Sequence, residues 1–373
     1  MEILREEFGA QASAVARAPG RLEIFGAHTD YNEGYVAAIA IEQAAVVAVS
    51  PRDDGVVRAR SDQQDERAAF TLASIEDGPT GDWWDYLAGV IRLLAEHGCE
   101  VTGADLALAS DVPVGSGVSS SAAVELAYAL ALTDAFDCEI GPEELALLCQ
   151  RAENEYVGMR CGILDQFSST FGEPDRVMWL DCRTLQRRLV PMSGDRVRFV
   201  VCDTRKPREL VGSEYNKRRG QCEESARLLG VGALRDLSPD TLRERSGELK
   251  LGRWIRARHV VSENERVQRG VELLAAGDMT GVGAVINETH ESLRDDYEVS
   301  CDELEAMREA ALVAPGCYGA RLVGAGFGGC VMALVTTDTT DEFIARVGDQ
   351  YLAATGLTPR VFATRASDGA RVV

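Results

Sequence analysis

Apolar residues form four short runs, at Ala44–Val49, Ala104–Ala109, Val197–Cys202 and Val331–Val335, each of strand length and too short for a typical helix. Elsewhere the spacing changes. Over 122–136, 142–156 and 261–276, apolar positions recur every three or four residues, the period of a helix with one buried face. The pattern predicts a mixed α and β protein. At 373 residues the chain exceeds the size at which a single core usually stops growing, so two lobes are expected. Gly172-Glu173-Pro174-Asp175 interrupts the periodicity between Phe171 and Leu189, and we divide the chain there into lobes of residues 1–180 and 181–373.

One stretch refuses either period. Residues 19–34 crowd Arg21, Glu23, His28, Asp30 and Asn32 between glycines, with only Leu22, Ile24 and Phe25 as an apolar start. This reads as a strand that breaks into a functional loop, because an arginine, a histidine and carboxyl groups so closely placed suit a site lining rather than a core. A second motif runs Pro113-Val114-Gly115-Ser116-Gly117-Val118-Ser119-Ser120-Ser121 directly into the helical run beginning at Ala122. Free N–H groups at a helix start attract anions, and glycines let phosphate oxygens approach the main chain. Polyphosphate is the ligand this loop predicts, although the Lys-Ser/Thr ending of a Walker A loop is absent.

The third motif, Gly324-Ala325-Gly326-Phe327-Gly328-Gly329, satisfies a dinucleotide-type glycine spacing. Such a fingerprint opens a helix, whereas here a buried strand follows, so we expect a tight turn packed against another motif or a nucleotide. A fourth group sets Glu153 and Glu155, at a helix end, beside Cys161-Gly162-Ile163-Leu164-Asp165-Gln166. In phosphoryl transfer, a carboxylate such as Asp165 accepts a hydroxyl proton while a nearby arginine offsets phosphoryl charge.

A net charge of −21 opposes nucleic acid and anionic membrane surfaces as partners. The ten cysteines lack Cys-x-x-Cys or paired spacing, from which we expect neither a zinc site nor a disulfide framework, and a reduced cytoplasmic setting. The first ten residues lack the basic and apolar regions of a signal peptide.

These motifs together resemble the galactokinase branch of the GHMP small-molecule kinases, over nearly the whole chain. Three further stretches carry the likeness: Leu210-Val211-Gly212-Ser213-Glu214-Tyr215-Asn216, Arg258-His259-Val260-Val261-Ser262-Glu263-Asn264 and Asp295-Asp296-Tyr297-Glu298-Val299-Ser300. The resemblance implies an α+β, two-lobed fold with a left-handed crossover and a site in the cleft between lobes. It implies ATP and Mg²⁺, and transfer of the γ-phosphoryl group to the anomeric hydroxyl of a sugar. Arg21 and Asp165 would be the catalytic pair. Pro113, Gly115, Ser116, Gly117, Ser119, Ser120, Ser121 and the aromatic Trp83 would hold the nucleotide, with Ser120, Ser121 and Glu153 as metal ligands. The sugar would meet Glu23, Ala27, His28, Asp30, Gly162, Asp165 and Tyr215. A small-molecule sugar and ATP are thus the expected partners, with a monomer the favoured state.

Two positions depart from that family's pattern, which usually has Asn at Glu23 and, at Ala27, a Glu that contacts the 6-hydroxyl of galactose. The departures leave three sugars open: galactose, galacturonate and L-arabinose. A catalytically silent sugar sensor is the alternative of another class, and the presence of Arg21, Asp165 and the serine triplet argues against it.

Overall fold

The computed structural model describes residues 2–64, 66–192, 195–206 and 211–373, with side chains described from Glu214 onward in the last segment. Leu210, which opens one of the resemblance segments, lies outside the described residues. The strands are β1 (Ala14–Phe25), β2 (Tyr35–Pro51), β3 (Val56–Ser61), β4 (Ala68–Thr71), β5 (Ala104–Ser110), β6 (Arg176–Asp181) and β7 (Arg187–Pro191), then β8 (Val197–Asp203), β9 (Cys317–Val323), β10 (Cys330–Thr336), β11 (Arg360–Thr364) and β12 (Arg371–Val372).

They form two sheets. The first runs β12-β1-β2-β5-β3-β4, with the β6–β7 hairpin joined to the far part of β2. Its pairings are antiparallel except β3 with β5, whose connection passes through the Asp85–Glu96 helix. The second is the antiparallel β11-β8-β10-β9. All four apolar runs fall in strands β2, β5, β8 and β10, which are central in their sheets and buried. The division after residue 180 would cut the β6–β7 hairpin, so we propose to draw it between Pro191 and Val197, ahead of the first strand of the second sheet, with β12 alone returning to the first sheet.

The helical periods also hold. The Ser120–Ala135 helix packs on β1 and β2, and its small residues Ala122, Ala123, Ala127 and Ala131 are fully buried against them. The second period covers the Pro142–Arg151 helix and a wider π-helical turn over Ala152–Val157. The third is the latter part of the Leu251–Ala276 helix, which reaches β1, β2 and β7.

One sequence expectation is corrected. Cys99 and Cys138 are joined in a disulfide, with Cα atoms 5.6 Å apart. Each follows the end of a helix, Asp85–Glu96 and Ser120–Ala135, and those helices pack together. Tertiary packing brings the sulfurs together across 39 residues, a proximity that spacing along the chain does not encode. Among the described residues, no helix is long and apolar enough to cross a membrane.

Candidate active site

Strand β1 slips register against β2 between Pro19 and Arg21 and again between Glu23 and Phe25. Such bulges re-aim side chains. Leu22, Ile24 and Phe25 stay in the core, while Arg21 and Glu23 line a cavity of about 400 Å³. The loop beyond β1 is held from behind by the Leu251–Ala276 helix. Gly26 N–H donates to Glu263 Oε1 (2.9 Å), Tyr35 N–H donates to Asn264 Oδ1 (2.8 Å), and His259 Nε2 donates to the Ala27 carbonyl (2.9 Å). The segment from Arg258 to Asn264 thus fixes the loop that carries His28 and Asp30.

At the centre Asp165 engages both carboxylate oxygens. Arg21 Nη2 lies 2.6 Å from Oδ1, and Ser119 Oγ donates to Oδ2 at 2.5 Å. Arg21 Nη1 also donates to the Gly117 carbonyl (2.6 Å), so β1, the glycine-serine loop and the Leu164–Phe171 helix meet through one guanidinium. Ser119 adopts a left-handed conformation (φ 60°) immediately before the 120–135 helix.

The expected glycine turn forms between β9 and β10, with no helix after it. A Cβ at Gly324 would stand 3.0 Å from Gly117 Cα, so the third motif packs on the second. Gly162 is equally constrained, because a Cβ there would meet Asp30 Oδ2 at 2.1 Å.

Glu23, His28, Asp30 and Tyr215 line the cavity together with Trp83, Gly115, Gly117, Ser120 and Ser121. Trp83 Nε1 is buried without a protein partner. Four predicted residues do not line it. Pro113 is buried, Ser116 donates to Asp203 Oδ2 (2.7 Å), Gly162 backs Asp30, and Ala27 faces a second apolar core, the cluster that includes Val200, Leu322 and Val331 of the second sheet. Glu155 is also outside, paired at the surface with Arg151 (2.9 Å). Glu23 Oε1 pairs with Arg321 Nη2 at 2.8 Å, and the fully buried Arg321 donates further to the carbonyls of Glu23, Ile24 and Leu322.

Sequence reasoning missed a second buried acid. Gln166 Nε2 donates to Glu153 Oε2 (3.0 Å) and to Glu125 Oε2 (3.3 Å), while Glu125 Oε1 is buried without a partner. Burial, then the charge of Asp165, raises Glu153 to about 7, and burial with Glu153 pushes Glu125 well above the carboxyl range. The signal existed: Glu125 interrupts an otherwise apolar run. Ser61, Gln63 and Ser110, at the ends of β3 and β5, also line the cavity and carried no motif.

Hydroxyl and carboxylate oxygens from Ser120, Ser121 and Glu153, with the orphaned Glu125 oxygen behind them, fit a hard divalent cation such as Mg²⁺. Among the described residues, no group of three or more acidic, His or Cys side chains is placed to hold a metal ion.

Residues 85–173 match the GHMP kinases N terminal domain, and residues 271–353 match the GHMP kinases C terminal domain. Residues 3–51 match the galactokinase galactose-binding signature. The fold and these domain matches are those of a GHMP kinase. Over 373 residues the chain is 43% identical to a galactokinase of Roseiflexus sp., covering 99% of this chain and 95% of that protein. A galactokinase of Streptomyces coelicolor is 44% identical over 376 residues, covering 99% and 97%. The chain belongs to the galactokinase family. Among solved structures, the Lactococcus lactis galactokinase complexed with galactose superposes with a TM-score of 0.95, at 34% identity and 99% and 98% coverage. A Methanococcus jannaschii mevalonate kinase shares the fold at TM-score 0.70, 16% identity and 96% and 100% coverage. Family membership implies an ATP-dependent sugar kinase.

Proposed function

We propose that this protein transfers the γ-phosphoryl group of ATP to the C1 hydroxyl of D-galactose, forming galactose 1-phosphate. The observation that carries the reading is the Arg21–Asp165–Ser119 contact, because it joins a cavity-lining carboxylate and arginine to the glycine-serine loop. Asp165 accepts the C1 hydroxyl proton, and Arg21 offsets charge on the transferring group. The transition state for phosphoryl transfer is loose, so alignment and charge matter more than the strength of the base. Ser120, Ser121 and Glu153 would hold Mg²⁺, which supplies charge neutralisation at the phosphates.

Glu23, His28, Asp30 and Tyr215 meet the sugar hydroxyls in this account. The cavity's carboxyl groups favour a neutral hexose over galacturonate. A uronate would add negative charge beside Glu23, Asp30 and Asp165, while Arg21 is already paired with Asp165 and Arg321 with Glu23. ATP consumption measured against D-galactose, D-galacturonate, L-arabinose and D-glucose tests the proposal. Galactose should give the highest kcat/KM, and preference for galacturonate would overturn it.

A further inference from the structure

Four side chains form one polar chain that begins in the cavity lining, with His28 and Tyr31, and continues to Tyr297 and Cys222 outside it. The Tyr31 hydroxyl lies 2.7 Å from His28 Nδ1 and 2.7 Å from the Tyr297 hydroxyl, which is 3.3 Å from Cys222 Sγ. The Tyr297 ring sits against both His28 and His259, with centroids 4.6 Å away in each case. Arg218 Nε donates to the Tyr297 carbonyl at 2.8 Å. These contacts hold Tyr297 in place. His28 lines the cavity, yet its Nε2 is buried and has no partner in the protein.

Burial, with His259, Arg218 and Arg321 around it, holds His28 well below the ordinary imidazole range, so the ring is neutral. A neutral imidazole donates from one nitrogen and accepts at the other, and the bond made by one nitrogen sets the role of its twin. The chain can run in two directions. In the first, Cys222 S–H donates to Tyr297, Tyr297 O–H donates to Tyr31, and Tyr31 O–H donates to Nδ1, which leaves Nε2–H for the ligand. In the second every bond is reversed, the thiol hydrogen has no use, and Nε2 is an acceptor.

The lining selects the first direction. The cavity holds the carboxyl groups of Glu23, Asp30 and Asp165, which take up hydroxyl hydrogens. Each sugar hydroxyl has one hydrogen but two lone pairs, so such a site is short of donors rather than acceptors. We propose that Tyr31 and Tyr297 are positioning residues that fix His28 as its Nε2–H tautomer, making it a hydrogen-bond donor to a non-reacting hydroxyl of the hexose. The proposal rests on the sugar-binding reading of this loop.

Proton–nitrogen correlation spectra of protein labelled in histidine test it, and with four histidines in the chain the His28→Gln variant assigns the signals. Without sugar, His28 should show a protonated Nε2 and an accepting Nδ1. Tyr31→Phe should shift the ring toward the other tautomer and raise the galactose KM about tenfold, with a smaller change in kcat. Tyr297→Phe should act in the same direction but less. A protonated Nδ1 in the unaltered protein would overturn the proposal, as would an unchanged tautomer in both variants. Because the first spectrum contains no sugar and no substitution, it judges the tautomer even if galactose proves to be the wrong substrate.

Discussion

Asp30 sets stability against function. Loss of solvent, then the charges of Asp165 and Glu23, raise its carboxyl from 3.8 to about 7. The unfolded chain releases this proton near pH 4 and the folded protein near pH 7, so between those values the folded state binds more protons. Stability therefore falls as pH rises through that window. A displacement of roughly three units corresponds to roughly 4 kcal/mol at full ionisation. Water in the open cavity reduces this to about 2–4 kcal/mol. Asp30→Asn removes that cost while keeping the side chain's size and an acceptor oxygen. Relative to the unaltered protein, it should gain about 2 kcal/mol more at pH 8 than at pH 5, since ionisation at pH 5 is already partly opposed. Urea unfolding of both proteins at both pH values measures this, and the difference cancels the groups they share. The same variant should raise the galactose KM at least about tenfold, because an amide cannot accept from two hydroxyls as a carboxylate does. An equal stability difference at both pH values, or a larger loss at pH 8, would refute the reasoning.

Other perturbations have equally definite outcomes. Arg21→Ala and Asp165→Ala should each lower turnover at least about 100-fold in a coupled ATP assay. Gly162→Ala should push Asp30 aside, since the added carbon would lie 2.1 Å from its carboxylate, and should raise the galactose KM more than about tenfold with a smaller loss in kcat. Cys99→Ser should cost about 2–4 kcal/mol in urea unfolding without reductant and little with it, and thiol titration of the unreduced protein should find Cys99 and Cys138 blocked.

Most of the cavity lining was legible where backbone chemistry and side-chain chemistry coincide. Glycines beside serines at a helix start, and polar residues that interrupt a strand, announce a ligand loop without any tertiary information. Ser116 looked like part of the phosphate cradle but instead anchors the loop to Asp203 on β8, because the direction of a loop side chain is set by the packed lobe beneath it. Ala27 likewise turns toward the second core while its carbonyl holds His259. The Tyr31–Tyr297 contact joins residues 266 positions apart, and the Glu125–Gln166 contact joins two helices. Neither is encoded in local spacing. The disulfide was missed for the same reason.

Phosphorus NMR of the product made from ATP and D-galactose tests the central claim most directly. The account predicts one new phosphomonoester signal coupled to the anomeric proton of galactose, formed by the unaltered protein and lost in Asp165→Ala. Phosphate attached at another carbon, or an undiminished signal in Asp165→Ala, would contradict it.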